Sequence, residues 1–310
     1  MTNIISVSRR TDIPAFYSDW FVNRLSAGFA EVRQPYSGKL QRVSLTPADV
    51  GAVVFWSKNY SPLLSKLDTI EKTTKNLFFH FTITANVELE PDVPDYRDAI
   101  KDLIFLSRRY SPKQLVWRYD PLCITDQLSY ELHEERFVRC ADLLKGKVGK
   151  CYISFVHPYK KVLRNMQKYS THVLQELSEE QKREHALRLA SRAGAFGITL
   201  YACCNNYLLS ETVMKASCID GGYLSELFNV SFDTKPAFPR KECACTRSID
   251  IGAYDTCAHG CLYCYANADK SRARSAWQRH DPDGTSLSMN VDSEVAEELD
   301  HQQVLPLLGI

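Results

Sequence analysis

At 310 residues, 45% of them hydrophobic, the chain is long enough to bury one large α/β core or two small ones. Its 38 Lys and Arg balance 37 Asp and Glu, a formal net charge of +1, so bulk charge argues for neither nucleic acid nor a membrane surface and leaves open only a local patch. No stretch reaches the roughly 18 consecutive apolar residues of a membrane span, and the N-terminus lacks the basic start and apolar core of a signal peptide, so the expectation is a cytoplasmic protein.

In chain order, Ile4-Ile5-Ser6-Val7-Ser8 reads as a buried strand ending at Arg9-Arg10-Thr11-Asp12. A helix is predicted over 19–27, with Ser18 as N-cap and Gly28 at its end, and 31–46 reads as an inserted β-hairpin. Ala52-Val-Val-Phe-Trp56 is the second core strand, followed by a helix opened by Ser61-Pro62 with Leu63, Leu64, Leu67 and Ile70 on one face. Strands at 77–83, 115–119, 151–156 and 198–203 alternate with helices at about 95–110, 129–145 and 178–195. Ser178-Glu-Glu-Gln181 is a capping box for the last of these.

Six strands alternating with helices over residues 4–203 imply parallel pairing under covering helices. Several strands end in polar residues, among them Arg9, Lys58, Thr84, Arg118 with Asp120, and His157, and in parallel barrels such ends carry the active site. The expected fold is therefore a partial, six-unit parallel β/α barrel over 1–203. A cysteine-rich segment over 204–268 then packs on its mouth, and 269–310 reads as an exposed or disordered tail, basic over 270–280 and acidic over 281–300. The terminal 304–310 stretch either docks or frays. No glycine-rich phosphate loop, H-E-x-x-H or G-x-S-x-G occurs.

Eight of the eleven cysteines fall between 203 and 264. In a reducing compartment clustered thiols read as metal ligands or redox groups before disulfides. Cys257, Cys261 and Cys264 form C-x3-C-x2-C, with Tyr263 just before the third. Spacings of two and three residues suit one face of a four-iron, four-sulfur cluster, whereas structural zinc normally takes four closed ligands. Three local thiolates leave one coordination position open, unless Cys243, Cys245 or His259 fills it. Cys203, Cys218, Cys243 and Cys245 total four and would suit a second, fully ligated cluster; the alternative is that Cys203 and Cys218 are small buried hydrophobes. Cys204, next to Cys203, should point elsewhere.

C-x3-C-x2-C with an aromatic before its last cysteine resembles the signature of the radical S-adenosylmethionine superfamily. Cys261-Leu-Tyr-Cys264-Tyr-Ala266 is similar to the form in spore photoproduct lyase and its relatives. The resemblance implies a cluster on Cys257, Cys261 and Cys264, with S-adenosylmethionine on the open iron and its adenine seated by Tyr263. It also implies reductive cleavage that starts radical chemistry, and a partial barrel of six β/α units. In that superfamily the cysteine loop follows the first strand; here it follows the sixth, so the expectation is a permuted arrangement with the tail folded back over the barrel. Over residues 4–267 the chain also resembles an uncharacterised bacterial domain family, through Ile4-Ile-Ser-Val-Ser-Arg-Arg-Thr-Asp-Ile-Pro14, Val54-Phe-Trp-Ser-Lys-Asn59 and Trp117-Arg-Tyr-Asp-Pro121.

Around the mouth, Arg9 and Arg10 suit bidentate capture of a carboxylate or phosphate, and Lys58, Arg118 and Asp120 suit S-adenosylmethionine or substrate. Trp56 would stack on an aromatic group. Internal pairing, of Arg9 or Arg10 with Asp12 and of Arg118 with Asp120, is the plainer reading. Cys123 is a hydrogen-atom donor only if it is not simply packing. The sequence thus points to a radical S-adenosylmethionine enzyme acting on an unidentified small molecule or nucleic acid with a cellular electron donor and no membrane. A non-catalytic iron–sulfur or zinc protein, carrying electrons or binding nucleic acid through Lys270 to Arg279, is the alternative.

Overall fold

The computed structural model describes residues 2–287 except 36, 238 and 239. Its strands are β1 (Asn3–Val7), the hairpin β2 (Phe29–Arg33) and β3 (Leu40–Ser44), β4 (Val50–Ser57), β5 (Leu77–Thr82), β6 (Leu115–Leu122), β7 (Lys150–Phe155), β8 (Thr199–Ala202), β9 (Val213–Lys215) and β10 (Ile249–Asp250). All but the hairpin belong to one eight-stranded sheet of order β10-β1-β4-β5-β6-β7-β8-β9. Every neighbouring pair in it is parallel. The six strands legible in the sequence are the consecutive middle of this sheet. It is open, with β9 and β10 as its edges, and both edge strands escaped the sequence reading.

Each β/α unit follows from its residues. β4 is buried at all eight positions, as expected of a strand covered on both faces. Val53 and Phe55 point into a core with Trp20, Phe21, Leu63, Leu103, Phe137 and Leu189 from the covering helices. Ala52, Val54 and Trp56 point to the other face, covered by Ala216, Ile219, Leu224 and Phe232 from the segment after β9. Helix Tyr96–Arg109 is capped by Asp95, Tyr130–Leu144 by Ser129, and Glu179–Gly194 by the Ser178–Gln181 capping box.

Other expectations needed adjusting. The first long helix, Ser18–Ala27, ends at left-handed Gly28 as expected, but Ser18 is its first residue and its hydroxyl donates to the Pro62 carbonyl. The helix expected after Ser61-Pro62 is two single turns, Ser61–Leu64 and Leu67–Ile70, which still bury Leu63, Leu67 and Ile70. Helices Ile13–Phe16, Lys160–Tyr169 and Gly221–Phe228 were not anticipated. The stretch expected as an exposed tail opens with helix Lys270–Gln278, capped by Asp269. It then ties back to the body: Trp20 Nε1 donates to the Gly284 carbonyl (2.8 Å), Arg24 to that of Asp283 (2.9 Å) and the Glu31 amide to that of Thr285 (2.8 Å). Residues 288–310, including most of the acidic run and the 304–310 stretch, lie outside the described residues. Among the described residues, no helix is long and apolar enough to cross a membrane.

Candidate functional site: two thiol groups at one cavity

The site is built where the chain's end meets its beginning. β10 pairs with β1 through Ile5–Ile249 and Ser6–Asp250. Asp250 locks the junction. Its carboxylate accepts from the Ser6 and Ser8 hydroxyls (2.8 and 2.6 Å), the Arg9 amide (2.8 Å) and Arg10 Nε (3.0 Å). Burial alone would raise its pKa; Arg10 and Arg9 outweigh that and hold it below the usual carboxylate range. Asp250, not Asp12, is thus the ion-pair partner of both arginines. Gly252 is required two residues on, because a Cβ there would lie 2.0 Å from the Ser8 hydroxyl.

Residues 257–264 follow directly, held by buried polar bonds to the first β/α units. His259 Nε2 lies 2.8 Å from an Asp12 carboxylate oxygen, and Asp12 also accepts from the Ser57 hydroxyl (2.6 Å) and the Lys58 amide (2.8 Å). His259 is therefore a clamp residue in this arrangement. The Leu262 amide donates to the Leu89 carbonyl (2.9 Å), Asn267 to that of Cys257 (2.6 Å), and Lys270 Nζ to those of Gly260 and Cys261 (2.7 and 2.5 Å). Gly260 has φ +66°, and a Cβ on it would fall 2.6 Å from Asp92 Oδ2. The three thiols border one cavity, and the Ala266 amide donates to Cys264 Sγ (3.3 Å). Burial pushes the Cys257 and Cys261 thiols up; Lys58, beside Cys261, pulls the other way.

A family model described as "Domain of unknown function (DUF1848)" matches residues 4–266. The chain belongs to this family. No curated protein and no solved structure matches it.

Five further thiols of this DUF1848 chain, Cys203, Cys204, Cys218, Cys243 and Cys245, meet on the sheet face that carries Ala52, Val54 and Trp56. Cys203 Sγ is 3.4 Å from Cys218 Sγ and 3.9 Å from Cys204 Sγ. Cys245 touches both Cys218 and Cys243, and Cys243 touches Cys204. Cys204 therefore belongs to the group, contrary to expectation. Its backbone is left-handed (φ +52°), which turns consecutive side chains to the same side. Thiol donors from Cys203 and Cys245, with Arg118 Nη1 at 3.1 Å, hold Cys218 well below the usual thiol range. The Cys204 and Cys245 thiols likewise hold Cys243 below the usual thiol range. Among the described residues, no three His, Cys, Asp or Glu side chains converge as a group ready for a single ion. The five sulfurs touch in sequence around a ring.

The polar strand ends converge on the same cavity, of about 3150 Å³, which is lined by Arg9, Trp56, Lys58, Arg118, Asp120 and Tyr263 as well as by all seven cysteines singled out in the sequence. Arg118 pairs with Asp120, which also accepts from Ser154. Lys58 Nζ lies 3.0 Å from Glu90 Oε1, off hydrogen-bond geometry. Burial works against its charge, but Glu90 and Cys261 outweigh it and raise its pKa. Tyr263 and Thr84 both donate to Glu90, a residue the sequence reading passed over. Trp56 stacks on His80 (4.2 Å, 14°), so its stacking partner is internal. Cys123 is packed among Leu89, Leu128, Val162 and Met166, and burial pushes its thiol up to about 12; it reads as packing.

Proposed function

We propose that this DUF1848 protein is a radical S-adenosylmethionine enzyme of the cytoplasm, its open sheet serving as a partial barrel. One observation carries the reading. The cysteine loop follows an edge strand, β10, whose neighbour in the sheet is the chain's first strand. In sheet order, as opposed to chain order, the loop therefore follows the first strand, as the resemblance requires. The late position of the motif is then a permutation of the same layout.

The donor chemistry suits a four-iron, four-sulfur cluster on Cys257, Cys261 and Cys264. Each of the three thiolates would bind a different iron, and all three thiols border the one cavity. Such a cluster would supply one electron to cleave S-adenosylmethionine to methionine and a carbon radical. The protein's own part is binding and orientation. Lys58 has donors to spare beside Cys261 and would hold the methionine carboxylate, while Tyr263, fixed by Glu90, would border the adenosyl group. Arg9, Arg118 and Asp120 would orient the substrate at the strand ends.

The second thiol group is a further metal site on the same reading. Its Cys203 sulfur lies 3.4 Å from Cys218 and 3.9 Å from Cys204, and Cys203, Cys218, Cys243 and Cys245 would hold a second, fully ligated cluster.

Anaerobic purification tests the reading. The expected protein is brown, with about four irons or more per chain and 5′-deoxyadenosine formed on reduction with S-adenosylmethionine. A colourless protein carrying stoichiometric zinc would overturn the cluster, and iron without 5′-deoxyadenosine under several reductants would overturn the enzyme.

A further inference from the structure

The near-zero net charge of the chain hides a strong local imbalance. Thirteen Lys and Arg line the cavity against six Asp, although the whole chain carries 38 basic and 37 acidic residues. Four of the thirteen, Lys160, Lys161, Arg164 and Lys168, lie on one helix. Lys160, Arg164 and Lys168 recur at i, i+4 and i+8 along Lys160–Tyr169, form one stripe, and line the cavity. A basic stripe on a helix is ordinarily a solvated face, balanced by nearby carboxylates. Here none of the three makes an ion pair among the described residues. The stripe stands beside the thiol loop, since Arg164 Nη2 donates to the Ala268 carbonyl (3.0 Å).

Size and aromatic content narrow the occupant. At about 3150 Å³ the cavity far exceeds the roughly 300–1,000 Å³ of a small-molecule pocket. Tyr169, Tyr254 and Tyr265 also line it and are 42%, 44% and 44% exposed, a large aromatic surface to leave among cations. A basic track interleaved with exposed rings is the arrangement that takes an unpaired nucleic acid strand, phosphates on the cations and bases on the rings.

We propose that the substrate of this cavity is a single-stranded nucleic acid segment. Its phosphates follow Lys160, Arg164 and Lys168, and its bases lie against the tyrosines with one directed toward the Cys257 loop. The word substrate rests on the enzyme reading above; the binding does not. A duplex fits less well, because stacked and paired bases offer no free faces to the rings and cannot bring a base to the thiols without extrusion.

The test is fluorescence anisotropy of the full-length, anaerobically purified protein with labelled mixed-sequence DNA and RNA strands of about 16 nucleotides, between about 50 and 200 mM salt. Duplex and inorganic polyphosphate serve as competitors. The parent is expected to bind single strands in preference to both. Lys160→Ala/Arg164→Ala/Lys168→Ala is expected to weaken binding tenfold or more and to reduce the slope of log K against log salt by about 2, at roughly 0.7 per phosphate contact. Tyr169→Ala should weaken it about fivefold or more at unchanged slope. The stripe residues are exposed, and unaltered thermal unfolding of the triple variant checks that it folds. No binding by the parent, an undiminished triple variant, or equal competition by polyphosphate or duplex overturns the proposal. Parent that binds strands but purifies without iron leaves this inference standing while the enzyme fails, and iron-loaded parent that binds no strand does the reverse.

Discussion

His133 shows how a single buried side chain sets a stability limit far from the thiols. Its Nε2 donates to the Cys123 carbonyl (3.1 Å), and its Nδ1 faces the Tyr119 hydroxyl (3.1 Å). Burial first, then Arg136, lowers its pKa from 6.5 to about 4. Above pH 6.5 the imidazole is neutral folded or unfolded and contributes nothing. As pH falls from 6.5 toward 4 the unfolded chain takes a proton that the folded chain refuses, and stability is lost, up to roughly 3 kcal/mol. Urea unfolding at neutral and at acid pH should therefore differ less in His133→Gln than in the parent; an equal difference would remove His133 as the cause. Gly260 makes a sharper demand. With φ +66° and Asp92 Oδ2 2.6 Å from a would-be Cβ, Gly260→Ala should cost roughly 1–3 kcal/mol and lower the iron retained, read by thermal unfolding and metal analysis. At this scale spacing made the Cys257, Cys261 and Cys264 triplet legible in the sequence, and its three thiols border one cavity. The sequence was unreadable at Cys204, whose inclusion depends on one left-handed backbone angle.

Among elements, β10 has the largest consequence for its size. Two residues carry no period, so nothing in the local sequence marks Ile249–Asp250 as a strand. What makes it one is Asp250, whose carboxylate collects the ends of β1 from more than two hundred residues away. Asp250→Ala should leave Arg9 and Arg10 without their counter-ion, cost roughly 3–5 kcal/mol by denaturant unfolding and release the cysteine loop from its place, seen as lost iron. Unchanged stability would mean that the hydrophobic contacts of the segment hold β10 unaided. The other missed elements have equally local causes. Helix Lys160–Tyr169 has only Val162 and Met166 as an apolar face, with Asn165 buried beside them. Helix Lys270–Gln278 buries a single Ala273, so no apolar face marks it in the sequence.

For the molecule as a whole, seven thiols from residues 203 to 264 face one cavity, in two groups with different surroundings. Cys257→Ala/Cys261→Ala/Cys264→Ala should remove about four irons per chain and abolish 5′-deoxyadenosine formation, while Cys218→Ala should change the metal count independently. Metal held only by the folded chain would stabilise it, so on the proposed reading its removal should also lower the unfolding temperature, by an amount that falls when either group is already disabled. Metal analysis beside thermal unfolding of the three proteins, parent included, checks this; identical metal content in parent and triple variant would sink the site.

The sequence by itself determined the alternation of strands and helices, the Gly28 and Ser178 caps and the thiol triplet, because each is a local pattern of period or spacing. Only the tertiary structure decided that the sheet begins with β10, that Cys204 joins the second group, and that basic residues outnumber acidic ones around one cavity of an almost neutral chain. These depend on pairings between residues hundreds of positions apart. Sheet order and charge placement are set by which faces must be buried together, and a linear reading of neighbours does not contain that information.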